Sequence, residues 1–518
     1  MSSEKPYSQT GVEGSSPEKS LEAAPSLEQT YMESGLSPED AVFLASFPED
    51  MRTKCIRKVD WRLCPVLMLL YLFSYIDRAN IGNAKIEGLL PDLGMSGTQY
   101  NVALAIFFVP YVLFEVPSNV LIAKFNKPSV YLAILVLCWG IVITLTGVVQ
   151  NFAGLCVVRV LLGIFEAGFF PGAVWLTTQW YLPHELQTRI AIFYTASALS
   201  GAFSGLLAFA LAKMDGVGGY AGWRWIFIIE GLATVLLSGV CYWCLVDSPE
   251  LSSRWLEPQE IRYLALRKQA QRGRLVLDDH AGKFDWRSLF KVVTDWHIYL
   301  QVLNFWSNVI PNYGLKFTLP QIITNMGYSS ANAQLLSIPP YIAGALSAYL
   351  FGLAADKLKW RMPIIVTNQI LVIIAFCVLF SLAEDIKNNI PACYFAVVLA
   401  CIGLYPIIPG ANAWTANNLA GARKQGMGIA FVLSFANTGG LVGSFIYLER
   451  EAPKYPTGFG SSFAFAAAGV VASIILELRF WYSNKRNARM SREEIHQKYT
   501  AEELQLMGDR SPLFKYIL

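Results

Sequence analysis

Twelve apolar stretches, each long enough to cross a bilayer as a helix, constrain this chain more than any other feature. A helix needs about 20 mostly apolar residues to span the hydrocarbon. Candidates lie near 62–86, 99–123, 130–149, 152–174, 188–212, 223–246, 296–318, 331–354, 362–383, 391–412, 426–448 and 460–482. Of the 518 residues, 54% are apolar and only 15% charged, against about 25% charged in a soluble domain. A chain of this kind cannot hide its apolar surface in water. The sixth and seventh spans are parted by a long polar stretch, while the other connections are short. The expected fold is an all-α membrane protein with twelve transmembrane helices in two six-helix halves. The expected divisions are an acidic tail over 1–58, a first bundle over 59–246, a central loop over 247–295, a second bundle over 296–483 and a second tail over 484–518.

Charge is split along the chain. The net charge of +3 gives no case for a nucleic-acid partner, yet residues 1–50 hold ten acids and only two bases, Lys5 and Lys19. That tail is rich in Ser, Glu and Pro and is expected to be disordered. It has no basic start followed by an apolar run, so no cleavable signal is expected and the first span serves as the membrane address. Lys and Arg concentrate in alternate short loops, at Arg52 to Arg62, Lys124, Lys127, Arg189, Lys357 to Arg361, Arg423, Lys424 and Lys485 to Arg489. By the positive-inside rule both termini and the 247–295 loop are cytoplasmic. Within that loop, Glu257 to Arg274 is amphipathic and reads as a surface helix lying on anionic lipid and bracing the two halves.

Several chemistries find no support. Cys241 and Cys244 form a C-x-x-C inside an apolar span with no second pair, which reads as packing. The four histidines, His184, His280, His297 and His496, fall in loops or at span ends. No phosphate-binding G-x-x-x-x-G-K-[ST] occurs, and no nucleophile–base set suggests an enzyme.

The informative residues are charges inside the hydrocarbon, where each costs at least about 2.5 kcal/mol near a helix centre. Arg78 follows Arg62 by sixteen residues, or about 24 Å along a helix. Its neighbour Asp77 points about 100° away, so the two need different partners. In the fourth span, Arg159 and Glu166 are seven residues apart and share a face. Gly163 and Gly168 nearby permit close helix approach. These four charges are expected around one site in the first half, with two inert ion pairs as the alternative. Arg78 stays protonated and offers a fork that fits a carboxylate, while Asp77 and Glu166 can take a proton. That combination suits anion–proton symport. Lys316 is expected to snorkel to the surface, Arg224 and Glu230 to be structural, and Glu115 to be a tie near the inner end of the second span.

After the eighth span, Gly352, Asp356, Lys357 and Arg361 follow the pattern G-x-x-x-D-[RK]-x-x-x-R, a loop signature of the major facilitator superfamily. The equivalent stretch from Asn119 to Lys127 lacks its Gly and Asp. Six spans, a long loop and six spans is also that superfamily's organisation. The runs YIDRANIGNAK (75–85), RVLLGIFEAGFFPG (159–172), GWRWIFIIEG (222–231) and WTANNLAGARKQG (414–426), with the ending LMGDRSPLFKYIL (506–518), resemble its anion:cation symporter family. The nearest branch is similar to fungal allantoate and nicotinate permeases.

The resemblance implies import of a small organic anion with protons as the coupling ion and no other cofactor. By motif position it makes Arg78 the carboxylate anchor, Asp77 and Glu166 the proton-coupling acids, Arg159 the residue that tunes Glu166, and Tyr75 part of the site wall. Tyr111 is expected beside them, with aromatic packing as its alternative. In the second half Asn304, Asn308 and Asn312 share one helix face. Asn312, Trp414 and Asn437 are expected to complete the substrate site, with interhelical hydrogen bonding as the alternative. Asp356, Lys357 and Arg361 are expected to act in gating. The expected setting is a multi-pass monomer in the plasma membrane, its partners being the bilayer, the anion and the proton. An exporter of an acidic metabolite and a non-transporting nutrient receptor remain as alternatives.

Overall fold

The computed structural model describes residues 36–122, 124–278, 286–358, 360–420, 422–500, 503–504 and 507–518. The acidic stretch 1–35 lies outside the described residues, and with it most of the tail expected to be disordered. Residues 38–58 depart from that expectation, because they are helical. Helix α1 (Pro38–Ser46) starts at an N-cap in which the Ser37 side chain accepts from the Asp40 backbone N–H. It is held by Arg262, which pairs with Glu39 and Asp40, and Phe47 stacks on Tyr263. Hydrogen bonds from Arg262 and Ser37 hold the Asp40 carboxyl below its usual value.

The first half comprises α2 (Glu49–Ile86), α3 (Gly97–Ile122), α4 (Pro128–Thr146), a fourth span in two pieces, α5 (Phe152–Glu166) and α6 (Phe169–Trp180), then α7 (Pro183–Ala212) and α8 (Gly222–Cys244). The central stretch carries α9 (Pro258–Asp278) and α10 (Trp286–Val293). The second half comprises α11 (Trp296–Asn325), the pair α12 (Ser330–Leu336) and α13 (Ile338–Leu358), α14 (Met362–Leu382), α15 (Ile390–Asn417), α16 (Ala422–Phe445) and α17 (Pro456–Asn487). A short α18 (Arg492–Lys498) follows.

Among the described residues, eleven helical segments are long and apolar enough to cross a membrane. Helix α11 is the twelfth crossing in the six-and-six order, yet it falls short on apolarity. The reason is its position: 20 of its 30 residues are buried, including Asn304, Ser307, Asn308 and Lys316. It sits between α2, α15, α16 and α17, so its polar groups face protein rather than lipid. Large apolar side chains such as Leu113, Leu236, Tyr349 and Val471 point outward instead, as a lipid-facing surface requires.

Between the halves, α2 packs on α11, α3 on α16, and α7 on α12 and α13. Close approach depends on glycine at Gly82, where an added Cβ would stand 2.8 Å from the Phe317 carbonyl oxygen. The hydrogen bonds between halves gather at the end opposite the termini. There Ser330 donates to the Ile86 carbonyl at 3.1 Å, Gln334 to Glu87 at 2.9 Å, and Asn101 to the Tyr447 carbonyl at 3.4 Å. Deeper in, the ties are Arg78 to Tyr313, Lys316 to Ser200 and Asn437 to Glu115. Among the described residues, no hydrogen bond joins the two halves at the end that carries the termini. The hydrogen bonds that join the halves thus lie at the level of Arg78 and at the end opposite the termini.

Each half carries its own clasp at the tail-bearing end. Helix α9 buries Tyr263, Leu264, Leu266 and Ala270. Its Glu260 pairs with Lys58, and its Arg267 with Glu185 and the Trp180 carbonyl. These ties run to the first half. The second half is clasped by the C-terminus. Asn418 and Asn484 bind the backbone of Ile517 and Tyr516, Trp414 donates to the Ile517 carbonyl at 3.0 Å, and Tyr516 stacks on Phe480. Lys424 bridges Asp295 and Asp509. Burial alone would raise the Asp295 carboxyl, but hydrogen bonds from His297 and Lys424 outweigh it and hold that carboxyl well below the usual range.

Candidate functional site

Where α2 meets α11, Arg78 is 6% exposed. Its Nε donates to Glu166 Oε1 at 2.6 Å, and its Nη1 donates to the Tyr313 hydroxyl at 3.0 Å. Glu166 is the last residue of α5, immediately before the fourth span breaks. Its Oε1 also accepts from Ser74, one turn below Arg78, while Oε2 has no partner. Gly163 lets α5 come against α3, because any Cβ there would meet the Phe107 carbonyl. That approach brings Tyr111 and Phe107 of α3 over the guanidinium, whose Cζ lies 4.7 Å and 5.5 Å from their ring centroids. Tyr75 completes the cage at 4.9 Å. Tyr75 is half-buried and forms the open wall of the cluster.

Arg78, Glu166, Tyr75 and Tyr111 are thus brought together. Asp77 and Arg159 stand behind them. Asp77 accepts from the Trp139 indole at 2.7 Å through one oxygen and leaves the other without a partner. Arg159 is 4% exposed, with Nε and Nη2 unpartnered. The charged and ionisable neighbours it feels are Tyr100, Glu166 and Asp77. Near Asp77, Glu230 accepts from Asn80, which in turn accepts from Ser204. Glu230 keeps one buried oxygen free, so it belongs to the acid cluster more closely than its span position suggested. Arg224 is structural as expected, tied to Asp92 and to the carbonyls of Gly147 and Val149.

The second half repeats this layout without charge. Asn304 and Ser307 of α11 bind Gln369 of α14 and Ser473 of α17, in the places where α2 meets α4 and α8 in the first half. Asn304 and Asn308 are therefore interhelical ties, Asn308 donating to the Leu404 carbonyl. Of the three binding residues expected in the second half, Trp414 is placed away from the Arg78 cage. Asn312 is half-buried and directly precedes Tyr313 of the cage. Trp414 is buried against Phe480 with its indole on the C-terminal backbone; its place in the chain resembled a site position, but the tail it holds is far along the sequence. Asn437 binds Glu115 at 3.2 Å, joining the halves. Of the gating set, Lys357 is exposed, Arg361 accepts no role visible in the cage and donates its backbone N–H to Leu518, and the Asp356 side chain lies outside the described residues.

Sequence reasoning misplaced Lys316. It does not reach the surface: it is 5% exposed, its Nζ is 3.4 Å from Ser200 Oγ and 4.5 Å from the Tyr75 centroid. The spacing from Tyr313 to Lys316, one helical turn, held the only signal that both face one site.

A family model described as the Major Facilitator Superfamily matches residues 67–444. The chain belongs to this superfamily. It is 37% identical over 479 residues to an MFS-type transporter, cnsO, of Penicillium expansum, covering 90% of this chain and 91% of that one. It is 29% identical to a high-affinity nicotinic acid transporter of Saccharomyces cerevisiae, covering 92% and 87%. Both relatives are fungal transporters. A bacterial homologue of the human lysosomal transporter Spinster has the same fold, with a TM-score of 0.62, 17% identity and coverage of 81% and 96%. The xylose transporter XylE of E. coli does too, at 0.61, 14%, 81% and 98%. The protein is a multi-pass membrane transporter and not an enzyme.

Proposed function

We propose that this transporter imports a small organic carboxylate with protons by alternating access, across the plasma membrane, with both termini cytoplasmic. The observation that carries the reading is the buried Arg78–Glu166 pair, caged by tyrosines where the two halves meet. Two desolvated charges rarely stabilise a fold over apolar packing, so a pair of this kind is better explained by a task. A proton on Glu166 removes its hold on Arg78, and the guanidinium then takes the substrate carboxylate in its place. Linkage requires the converse, so bound anion favours the protonated acid. Asp77, with one free oxygen, is the second acid, and Arg159 biases both. Asn437 and Asn312 contribute from the second half once the halves rearrange, and Asp356, Lys357 and Arg361 act at the gate. The similarity to a nicotinic acid transporter supports a nicotinate-like substrate.

The test is uptake of labelled nicotinate and other monocarboxylates into proteoliposomes with an imposed pH gradient. Uptake is expected to rise with the inward proton gradient and to vanish in Arg78→Gln. Accumulation in Arg78→Gln and Asp77→Asn equal to that of the unaltered protein would overturn the site assignment.

A further inference from the structure

We propose that Lys316 is a second anion anchor, so that the preferred substrate carries two acidic groups, one for Arg78 and one for Lys316. The proposal rests on the reading of Arg78 as the carboxylate anchor and adds the substrate class.

Lys316 lies on α11, and Tyr313 one turn before it accepts from Arg78. Lys316 Nζ and Arg78 Cζ both lie against the Tyr75 ring, at 4.5 Å and 4.9 Å. The two basic side chains, one from each half, therefore share one aromatic wall. Their charge balance differs. Arg78 has Glu166 at ion-pair distance, whereas among the described residues Lys316 has no carboxylate within ion-pair distance and only the Ser200 hydroxyl at 3.4 Å. The charged groups whose field it feels are Arg78, which repels it, and Glu166, which already holds Arg78. An ammonium taken from water without a counter-charge is costly, and an incoming anionic group supplies the missing partner. Among the described residues Arg159 is the other buried cation without an ion pair, but its ionisable neighbours, Tyr100, Glu166, Asp77 and Cys156, all belong to the first half. Both basic groups lie within 5 Å of one ring centroid, a spacing that admits a compact dianion, such as a pyridine dicarboxylate or a four-carbon dicarboxylate. Because Lys316 belongs to the second half, a ligand spanning both cations also ties the halves together, which is what an occluded state needs.

The experiment measures binding to the full-length protein in nanodiscs at pH 7, by thermal shift and tryptophan fluorescence. Matched probes are nicotinate against pyridine-2,3-dicarboxylate, and butyrate against succinate. The dicarboxylate of at least one pair is expected to bind about tenfold tighter or more, as a charge-assisted contact allows. Lys316→Met is expected to remove most of that ratio and Lys316→Arg to retain it. If Lys316→Met does not fold, Lys316→Gln serves the same comparison. Equal binding within both pairs, or a ratio untouched by Lys316→Met or Lys316→Gln, overturns the proposal. Arg78→Gln separates the two readings: loss of nicotinate and dicarboxylate binding together supports the Arg78 anchor, and nicotinate binding that survives it defeats that anchor whatever Lys316 does.

Discussion

Arg78 meets a carboxylate, a hydroxyl and three aromatic faces at once, and each partner belongs to a different part of the mechanism. In the proposed cycle the carboxylate of Glu166 is the exchangeable one. The Tyr313 hydroxyl reports the position of the second half, and the rings exclude water so that the charge contacts are strong. Glu166→Gln is expected to uncouple transport: exchange of anion across proteoliposomes without a pH gradient should persist, while concentrative uptake should fall about tenfold or more. Counterflow and gradient-driven assays run side by side check this. Arg78→Lys keeps the charge but loses the planar fork, and a drop in uptake of about tenfold is expected because the two side chains present donors differently. Much of this cage was legible in the sequence. Charges inside an apolar span have few uses, and Arg159 and Glu166 at a spacing of seven had to share a face. Lys316 was misread because its distance from the start of its span suggested the far surface. The helix in fact runs on to Asn325, leaving the amine within the bundle.

At the scale of elements, two kinds of contact set the geometry. Glycine decides where helices touch. Gly163→Val would press on the Phe107 carbonyl and Pro110, and a loss of about 1–3 kcal/mol is expected from overpacking. Thermal denaturation of the purified protein, with the Arg78 cage probed by anion protection, measures it. The C-terminal clasp is the second kind. Asn418→Ala removes two hydrogen bonds to Ile517, each net about 1 kcal/mol, and is expected to free the C-terminus for limited proteolysis. The same clasp should withstand acid. The folded Asp295 carboxyl titrates below its unfolded value, so its contribution is complete above the ordinary carboxylate range and is lost only as pH falls through the lower, folded value. Protease sensitivity of the tail should therefore stay constant from about pH 8 to about pH 5, both above that range. None of this clasp could be read from the chain alone, because hydrogen bonds to the Ile517 and Tyr516 backbone leave no trace in side-chain pattern. Trp414 was expected in the substrate site as an aromatic of the tenth span, and its indole is instead bound to the Ile517 carbonyl.

Over the whole molecule, two bodies, each clasped at its own tail-bearing end, meet at the opposite end through ties such as Gln334 to Glu87. Hydropathy alone gave the two-half organisation, since the six-and-six grouping and the long polar connection are properties of the chain. Which end carries these ties depends on contacts between distant side chains and was not readable. Rocking about the Arg78 level must break the ties at that end. A Glu87→Cys and Gln334→Cys pair is therefore expected to lock that end on oxidation. Transport should fall about tenfold or more and return with reductant, since a disulfide is stable enough to hold one state. Labelled-anion uptake before and after reduction checks this, and undiminished transport by the oxidised pair would show that the end need not open.

The central claim is that one guanidinium passes between Glu166 and the anion as a proton moves. Proton uptake on adding nicotinate to purified protein in weakly buffered solution tests it most directly. The expected result is net uptake of about one proton per anion bound in the unaltered protein, reduced by about one in Glu166→Gln. Identical proton uptake in the two proteins, with nicotinate bound by both, would contradict the account.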